Sequence, residues 1–593
     1  MFCGEPVLVQ TRQDETRFHK LASATPDELA KKLRAASPLS GERRQVTVLL
    51  IDVVDSTSLE SRISEPAWSE ILNETFIHLT PAIYRYEGTI ARLLGDSVLA
   101  FFGAPVTHED DPLRAVNAAL EALQDSQQYI QQIQTRYNLP FNLRACLHSG
   151  EIEIGPLREN LALEYTSSGD TVNLVSRLKF AAGPGTVVIS EDTYRFISPL
   201  FDCLDLGQIE VKGERNQVSI YQVLGRKLQP GSLRGLAGLE SPLVGRDQEL
   251  ATLVRLCETV RAGLGRAVLI TGEPGMGKTR LVSEWQLRIQ DLEESAKPRW
   301  TVGRCLSYSS TTAYFLLVDW LHNVLGIKEG GQFAEIRNSL NNLLAQVGAE
   351  IDPGLRPVYS HLLGLPLSAE EAHPITRMDP ETLRTQYQMA LLQLVRGLAH
   401  QQPLVIILED LHWSDPSSIE VFGHLLPLVN EHPILLCLVT REDQDSSGWR
   451  LVTAAQHNLR DSLAEIHLNP LLENESRQMV TNLLSVDELP EQTRQLILQK
   501  SEGNPLFVEE IIRMLIERSL IVPQNGGWVA GKEIVAVDIP DNLQNLLMAR
   551  IDRLPEEVRE TLRVASVIGR QFPVKVLAEV LEKNLSDEPA NPP

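Results

Sequence analysis

The stretch Ala91–Gly103, ARLLGDSVLAFFG, constrains the fold most, because two apolar runs flank a Gly95-Asp96 pair. That pattern predicts a β-hairpin: glycine and aspartate tolerate turn backbone, and the runs on either side gain from burial. An acid at such a tip is commonly no more than a good turn residue. The upstream run Gln45–Val54, QVTVLLIDVV, raises a second possibility. It is almost continuously apolar, as a central strand covered on both faces should be, and Asp52 lies at its end. A strand end beside a hairpin tip can bring Asp52 and Asp96 together, and two hard oxygen donors suit Mg²⁺ or Mn²⁺.

Around this pair the spacing predicts helices over 26–36, 66–87 and 112–137, and a strand over 141–155. A turn and helix follow in TSSGDTVNLVSRLKFAA, then strands over 185–190, 207–213 and 217–224. The order β-α-β-β-α-β is that of a ferredoxin-like α+β sheet with helices on one side. Asn173 and Arg177 are four apart and project from one helix face. An amide and a guanidinium so placed can hold a ribose and a charged phosphate, and Lys212 adds a point charge. Taken singly, each is read as easily as a cap or a solvated surface residue.

Residues 226–242, rich in Gly, Pro and Ser, form a linker. Beyond it, RAVLITGEPGMGKTRLVSEW predicts strand, loop and helix. Gly272, Gly275 and Gly277 let backbone N–H groups wrap a phosphate, Lys278 reaches the β/γ-phosphates, and Thr279 takes a Mg²⁺. A buried strand then runs into Glu409-Asp410, placed to face the metal and polarise water. A further core strand ends at Arg441.

A chain of 593 residues exceeds one core and predicts two to four domains. Its formal charge of -23 argues against nucleic acid or an anionic membrane as partner. No apolar run approaches the roughly 20 residues that span a bilayer, and the N-terminus lacks a secretory pattern. Six scattered cysteines without a CxxC pair fit a reducing, cytoplasmic setting.

Residues 43–225, with VTVLLIDVVDST, ARLLGDSVLAFFG, GDTVNLVSRL and EVKG, resemble the class III adenylate/guanylate cyclase domain. The resemblance implies that Asp52 and Asp96 hold two divalent ions, that Asn173 orients the ribose, and that Arg177 and Lys212 stabilise phosphate charge. It also implies a site shared across a homodimer. Arg92 and Thr166 occupy the base-selecting positions, where lysine and aspartate are usual. Thr166 resembles the soluble adenylyl cyclase branch, which makes ATP the expected substrate. Asp55 stands where many members have glycine. Residues 243–470 resemble STAND/AAA-like ATPases, with Glu409 in place of a more usual Asp. Residues 471–593 resemble their helical or winged-helix portion, in which Pro505 lies near adenine. Residues 1–42 form an N-terminal extension. Three readings stay open: an adenylate cyclase regulated by an ATP-binding module, a nucleotide-gated switch with a weak or inactive cyclase domain, and a guanylate cyclase.

Overall fold

A computed structural model describes residues 25–35, 42–157, 163–165, 170–198, 200–210, 217–227, 241–290, 297–307, 309–327, 333–348, 351–484, 491–517, 520–524, 527–530 and scattered positions from 551 to 577. These divide into two compact units, one built on residues up to 197 with 203–223, the other on 224–540 with 198–202.

The first unit is organised on β1 (Glu42–Val53), which pairs antiparallel with β3 (Ser97–Phe102) and with β4 (Leu143–Leu157). With β2 (Thr89–Leu94), β5 (Leu163–Tyr165), β6 (Val187–Ser190), β7 (Phe201–Glu210) and β8 (Gln217–Arg226), the sheet order is β2-β3-β1-β4-β6-β8-β7, with β5 beside β4. The hairpin is where the apolar pattern puts it, with Gly95 at φ 64° in the turn. Alternate β1 residues Val46, Val48 and Leu50 share a core with Val172, Val175 and Leu178 of helix Asp170–Leu178. Leu49, Ile51 and Val53 point the other way and are equally buried. Helices therefore cover both faces rather than one, because β1 is apolar at both parities.

Three local expectations shift. The helix expected over 112–137 is two, Asp111–Asp125 and Gln127–Tyr137, meeting at Ser126. The Ser126 hydroxyl donates to the Ala122 carbonyl at 2.7 Å, the back-bonding by which serine bends or interrupts a helix. A short helix, Glu191–Ile197, follows β6 with Glu191 and Asp192 in its first turn, where carboxylates suit the dipole. The strand expected over 207–213 begins earlier, as β7, and Lys212 lies outside the described residues.

The second unit is a parallel sheet in the order β10 (Arg299–Arg304), β11 (Leu404–Glu409), β12 (Ile434–Val439), β9 (Arg266–Gly272), β13 (Leu463–Leu468). Alternation sorts each strand between two cores. Val268 and Ile270 pack with Leu281, Val282 and Trp285 of helix Lys278–Gln290, and with Leu250, Leu253 and Cys257 of helix Asp247–Arg261. Ala267 and Leu269 face a helical layer that includes Phe315–Leu325, Pro380–Gln401 and Ser447–Leu459. Helices Glu473–Leu484, Glu491–Ser501 and Pro505–Glu517 form a further small core. A hairpin follows, β14 (Ile521–Gln524) with β15 (Gly527–Ala530). The helical or winged-helix segment expected over 539–572 falls almost wholly outside the described residues.

Candidate active site and nucleotide-binding loop

Register assembles the first site. Ser97 of β3 and Arg144 of β4 both stand opposite Asp52 of β1. All three therefore project from one face, the face that packs on helix Asp170–Leu178. The Asp52 carboxylate is 2% exposed and fully engaged. Its Oδ2 accepts from Arg144 Nε at 2.9 Å and Nη2 at 2.6 Å, two charge-assisted bonds that converge on one oxygen and hold it in place. Its Oδ1 accepts from Ser97 Oγ at 2.6 Å and lies 3.6 Å from Lys179 Nζ. The same hydroxyl is 3.2 Å from Asp96 Oδ1 on the hairpin tip, so Ser97 bridges the two acids.

This donor set suits a magnesium-like ion. Two carboxylates converge from a rigid strand end and a tight turn, and two are too few to close an all-protein shell. Positions are left for water and phosphate oxygens, the usual way Mg²⁺ is held. Among the described residues no group of three His, Cys, Asp or Glu could hold a metal, and the carboxylates that meet here are Asp52 and Asp96.

Asn173 is exposed and Arg177 half-buried on helix Asp170–Leu178, while Arg92 is half-buried on β2. Thr166 and Lys212 lie outside the described residues. Asp55 is exposed and sits in the left-handed region at φ 52°, where its carbonyl receives the N–H groups of Ser58 and Leu59. That backbone is easiest for glycine and is tolerated by aspartate, which accounts for either residue at this turn.

In the second unit, the loop between β9 and helix Lys278–Gln290 carries the phosphate-binding pattern. Lys278 Nζ folds onto the loop's own carbonyls, Gly272 O at 2.7 Å and Glu273 O at 3.1 Å. Thr279 is exposed beside it. Gly275 has φ 82°, and a Cβ there would stand 2.4 Å from Asn504 Oδ1. Asn504 is buried, donates Nδ2 to Pro274 O at 3.0 Å and accepts from Leu506 N, tying the segment before helix Pro505–Glu517 to the loop. Pro505, expected near adenine, is the first residue of that helix, and both its neighbours bond the loop, Asn504 at Pro274 O and Leu506 N at Gly275 O, 3.3 Å. Arg246, also buried, donates to Met276 O and Asn469 O, clasping the loop's far side.

Glu409 closes β11 directly opposite Arg304 of β10, whose Nε lies 2.9 Å from Oε2. Burial pushes the Glu409 carboxyl up from its ordinary range, and the Arg304 guanidinium pulls it partly back. Asp410 follows at φ 55°, and Arg441 is half-buried just past β12. The pattern of motifs alone did not disclose Ser97, Arg144, Lys179, Arg246, Arg304 or Asn504. Each becomes visible only through the register or approach of distant segments. The one sequence signal for Asn504 was its place inside GNPLFVEE, directly before Pro505.

Residues 40–225 match the model of the adenylate and guanylate cyclase catalytic domain, 242–439 that of an AAA ATPase domain, and 472–527 that of a domain of unknown function. An uncharacterized protein of Rhizobium meliloti (strain 1021) is 26% identical over 572 residues, covering 93% of this chain and 51% of its own length. Adenylate cyclase type 10 of Oryctolagus cuniculus is 20% identical over 594 residues, covering 91% of this chain and 35% of its own. Adenylate cyclase 1 of Rhizobium meliloti is 29% identical over 211 residues, covering 34% of this chain and 31% of its own. The chain thus spans about half the length of the first relative and about a third of the other two. Among solved structures, the adenylyl cyclase CyaB from P. aeruginosa is 31% identical, covers 31% of this chain and 96% of its own, and has a TM-score of 0.29. Among the described residues no helix is long and apolar enough to cross a membrane.

Proposed function

We propose that this chain, in which an adenylate/guanylate cyclase catalytic domain precedes an AAA ATPase domain, forms cyclic AMP and pyrophosphate from ATP in the cytoplasm. The observation that carries the reading is the meeting of Asp52 and Asp96 through the Ser97 hydroxyl on one face of the sheet. Two divalent ions, Mg²⁺ or Mn²⁺, held by this pair would supply the Lewis acidity that activates the ribose 3′-hydroxyl and neutralises the triphosphate.

The chain's own residues then have separable tasks. Arg144 holds Asp52 in one orientation. Asn173, exposed on its helix, orients the ribose, and Arg177 with Lys212 stabilises charge as the bond between the α-phosphorus and the bridging oxygen breaks. In this reading Asn173, Arg177 and Lys212 serve the metal pair of a second copy, so the homodimer is the catalytic unit and holds two sites. Arg92 and Thr166 choose the base. The names of two relatives, both adenylate cyclases, favour adenine. ATP with Mg²⁺ at Gly272, Gly275, Gly277, Lys278 and Thr279, with Glu409, Asp410, Arg441 and Pro505 around it, biases the geometry of that dimer.

Purified chain with Mn²⁺ should convert ATP to cyclic AMP, and Asp96→Ala should abolish the reaction. Absence of cyclic product from both ATP and GTP would sink the proposal; product from GTP alone would reassign the base. Mixing Asp52→Ala and Asn173→Ala chains should restore activity that neither has alone, and no recovery would refute a shared site. Lys278→Ala should change the cyclic AMP rate, whereas an unchanged rate would remove the coupling of the two domains.

A further inference from the structure

The two oxygens of Asp52 have different partners, and the difference separates a permanent cation from a replaceable one. Oδ2 belongs to Arg144, whose guanidinium is held in place by strand register and is 14% exposed. Oδ1 is the oxygen on the Asp96 side, because the Ser97 hydroxyl that donates to it also lies 3.2 Å from Asp96 Oδ1. The Lys179 ammonium approaches that same Oδ1, at 3.6 Å. This is ion-pair range rather than a good hydrogen bond. Lys179 follows the last residue of helix Asp170–Leu178, its side chain is 29% exposed, and its four-carbon stem can swing outward.

We propose that Lys179 is an internal counter-ion, occupying the cation side of Asp52 until a divalent ion displaces it. The inference rests on the reading of Asp52 as a metal ligand and adds a residue to it. Arg144 balances one charge of the Asp52 and Asp96 pair, and without a cation on the Oδ1 side the two carboxylates would still repel across one hydroxyl with a net negative charge. The ammonium relieves that repulsion in the metal-free state. A divalent ion relieves it more strongly and competes for the same oxygen. Lys179 therefore sets the threshold concentration at which metal enters, while Arg144, on the other oxygen, stays in place throughout. It is a positioning residue with respect to the reaction.

The test is Mn²⁺ binding, without nucleotide, to the full chain carrying Thr279→Ala throughout, which removes the metal position of the phosphate-binding loop, followed by the electron paramagnetic resonance signal of free Mn²⁺ at constant ionic strength. Removing one partly exposed charge from an ion pair predicts that Lys179→Gln tightens binding about 3- to 10-fold. Lys179→Arg, which keeps the charge, should stay within about twofold of the Thr279→Ala chain. Lys32→Gln removes a charge from the Glu87 ion pair in the same unit and should change nothing, which excludes a net-charge effect. Asp52→Asn keeps an acceptor for Arg144 and should lose the binding. Unchanged or weaker affinity in Lys179→Gln, with binding lost in Asp52→Asn, overturns the counter-ion while leaving the metal ligand standing. Full binding in Asp52→Asn overturns both.

Discussion

Replacing Arg304 by methionine should destabilise the second unit through Glu409, and the size of the loss follows from the geometry. The Glu409 side chain is 4% exposed and its Oε2 sits 2.9 Å from Arg304 Nε, whereas the Arg304 side chain is 36% exposed. Removing one partner of a fully buried pair costs about 3–5 kcal/mol, because the other charge is stranded. Solvent at the arginine end screens part of that, so the expectation here is about 2 kcal/mol at pH 7.5. Glu409→Gln removes the charge, so in Arg304→Met/Glu409→Gln most of the loss should be recovered, with a coupling of about 1–2 kcal/mol between the two sites. The pH dependence has a definite sign. Burial already raises the folded-state value of Glu409 above its unfolded one, and loss of Arg304 raises it further. The group's favourable contribution is complete below the unfolded value and is lost as pH rises through the folded one. The deficit of Arg304→Met relative to wild type should therefore shrink on going from pH 7.5 towards pH 5. Urea unfolding followed by tryptophan fluorescence reads this unit, since six of the seven tryptophans lie after residue 284. Equal deficits in the single and double variants, or a deficit independent of pH, would refute the reasoning.

Two further outcomes concern neighbouring features. Gly275→Ala places a methyl against Asn504 Oδ1 on backbone at φ 82°, so it should cost about 1–3 kcal/mol and weaken ATP binding at least tenfold, read by nucleotide titration. Binding within twofold of wild type would show that the loop and the segment at Asn504 are not coupled as described. In the first unit, burial pushes His148 down to about 4, even with the Asp192 carboxylate 3.7 Å from its Nδ1. A histidine kept neutral stabilises the fold above its unfolded value of about 6.5, and that contribution is lost as pH falls from there towards 4. The loss is at most about 3 kcal/mol. His148→Asn should flatten the fall in melting temperature over that interval, and an unaltered slope would assign the acid sensitivity elsewhere.

The sequence by itself determined the features whose causes are local. Gly95 and Asp96 between two apolar runs make a hairpin wherever those runs are buried. Continuous apolarity in Gln45–Val54 requires a central strand, and the glycines before Lys278 require a phosphate-sized loop. Each depends on residues within about ten positions of one another, where turn chemistry and side-chain period are decisive. The placement of Asp52 at a strand end and Asp96 at a tip was legible for this reason.

Only the tertiary structure decided what surrounds those acids. Arg144 faces Asp52 because β4 pairs with β1 in one register, and a slip of one residue would turn Arg144 to the opposite face. Nothing near Arg144 in the chain marks it as the partner of an acid 92 positions earlier. Lys179 reaches the same carboxylate only because helix Asp170–Leu178 packs on the face of Val46, Val48 and Leu50. Arg304 meets Glu409, and Asn504 meets Pro274, by the same kind of long-range approach. Local pattern places a charge at the end of an element. Which opposite charge meets it depends on how distant elements share a buried face, and that is settled by packing the whole core at once.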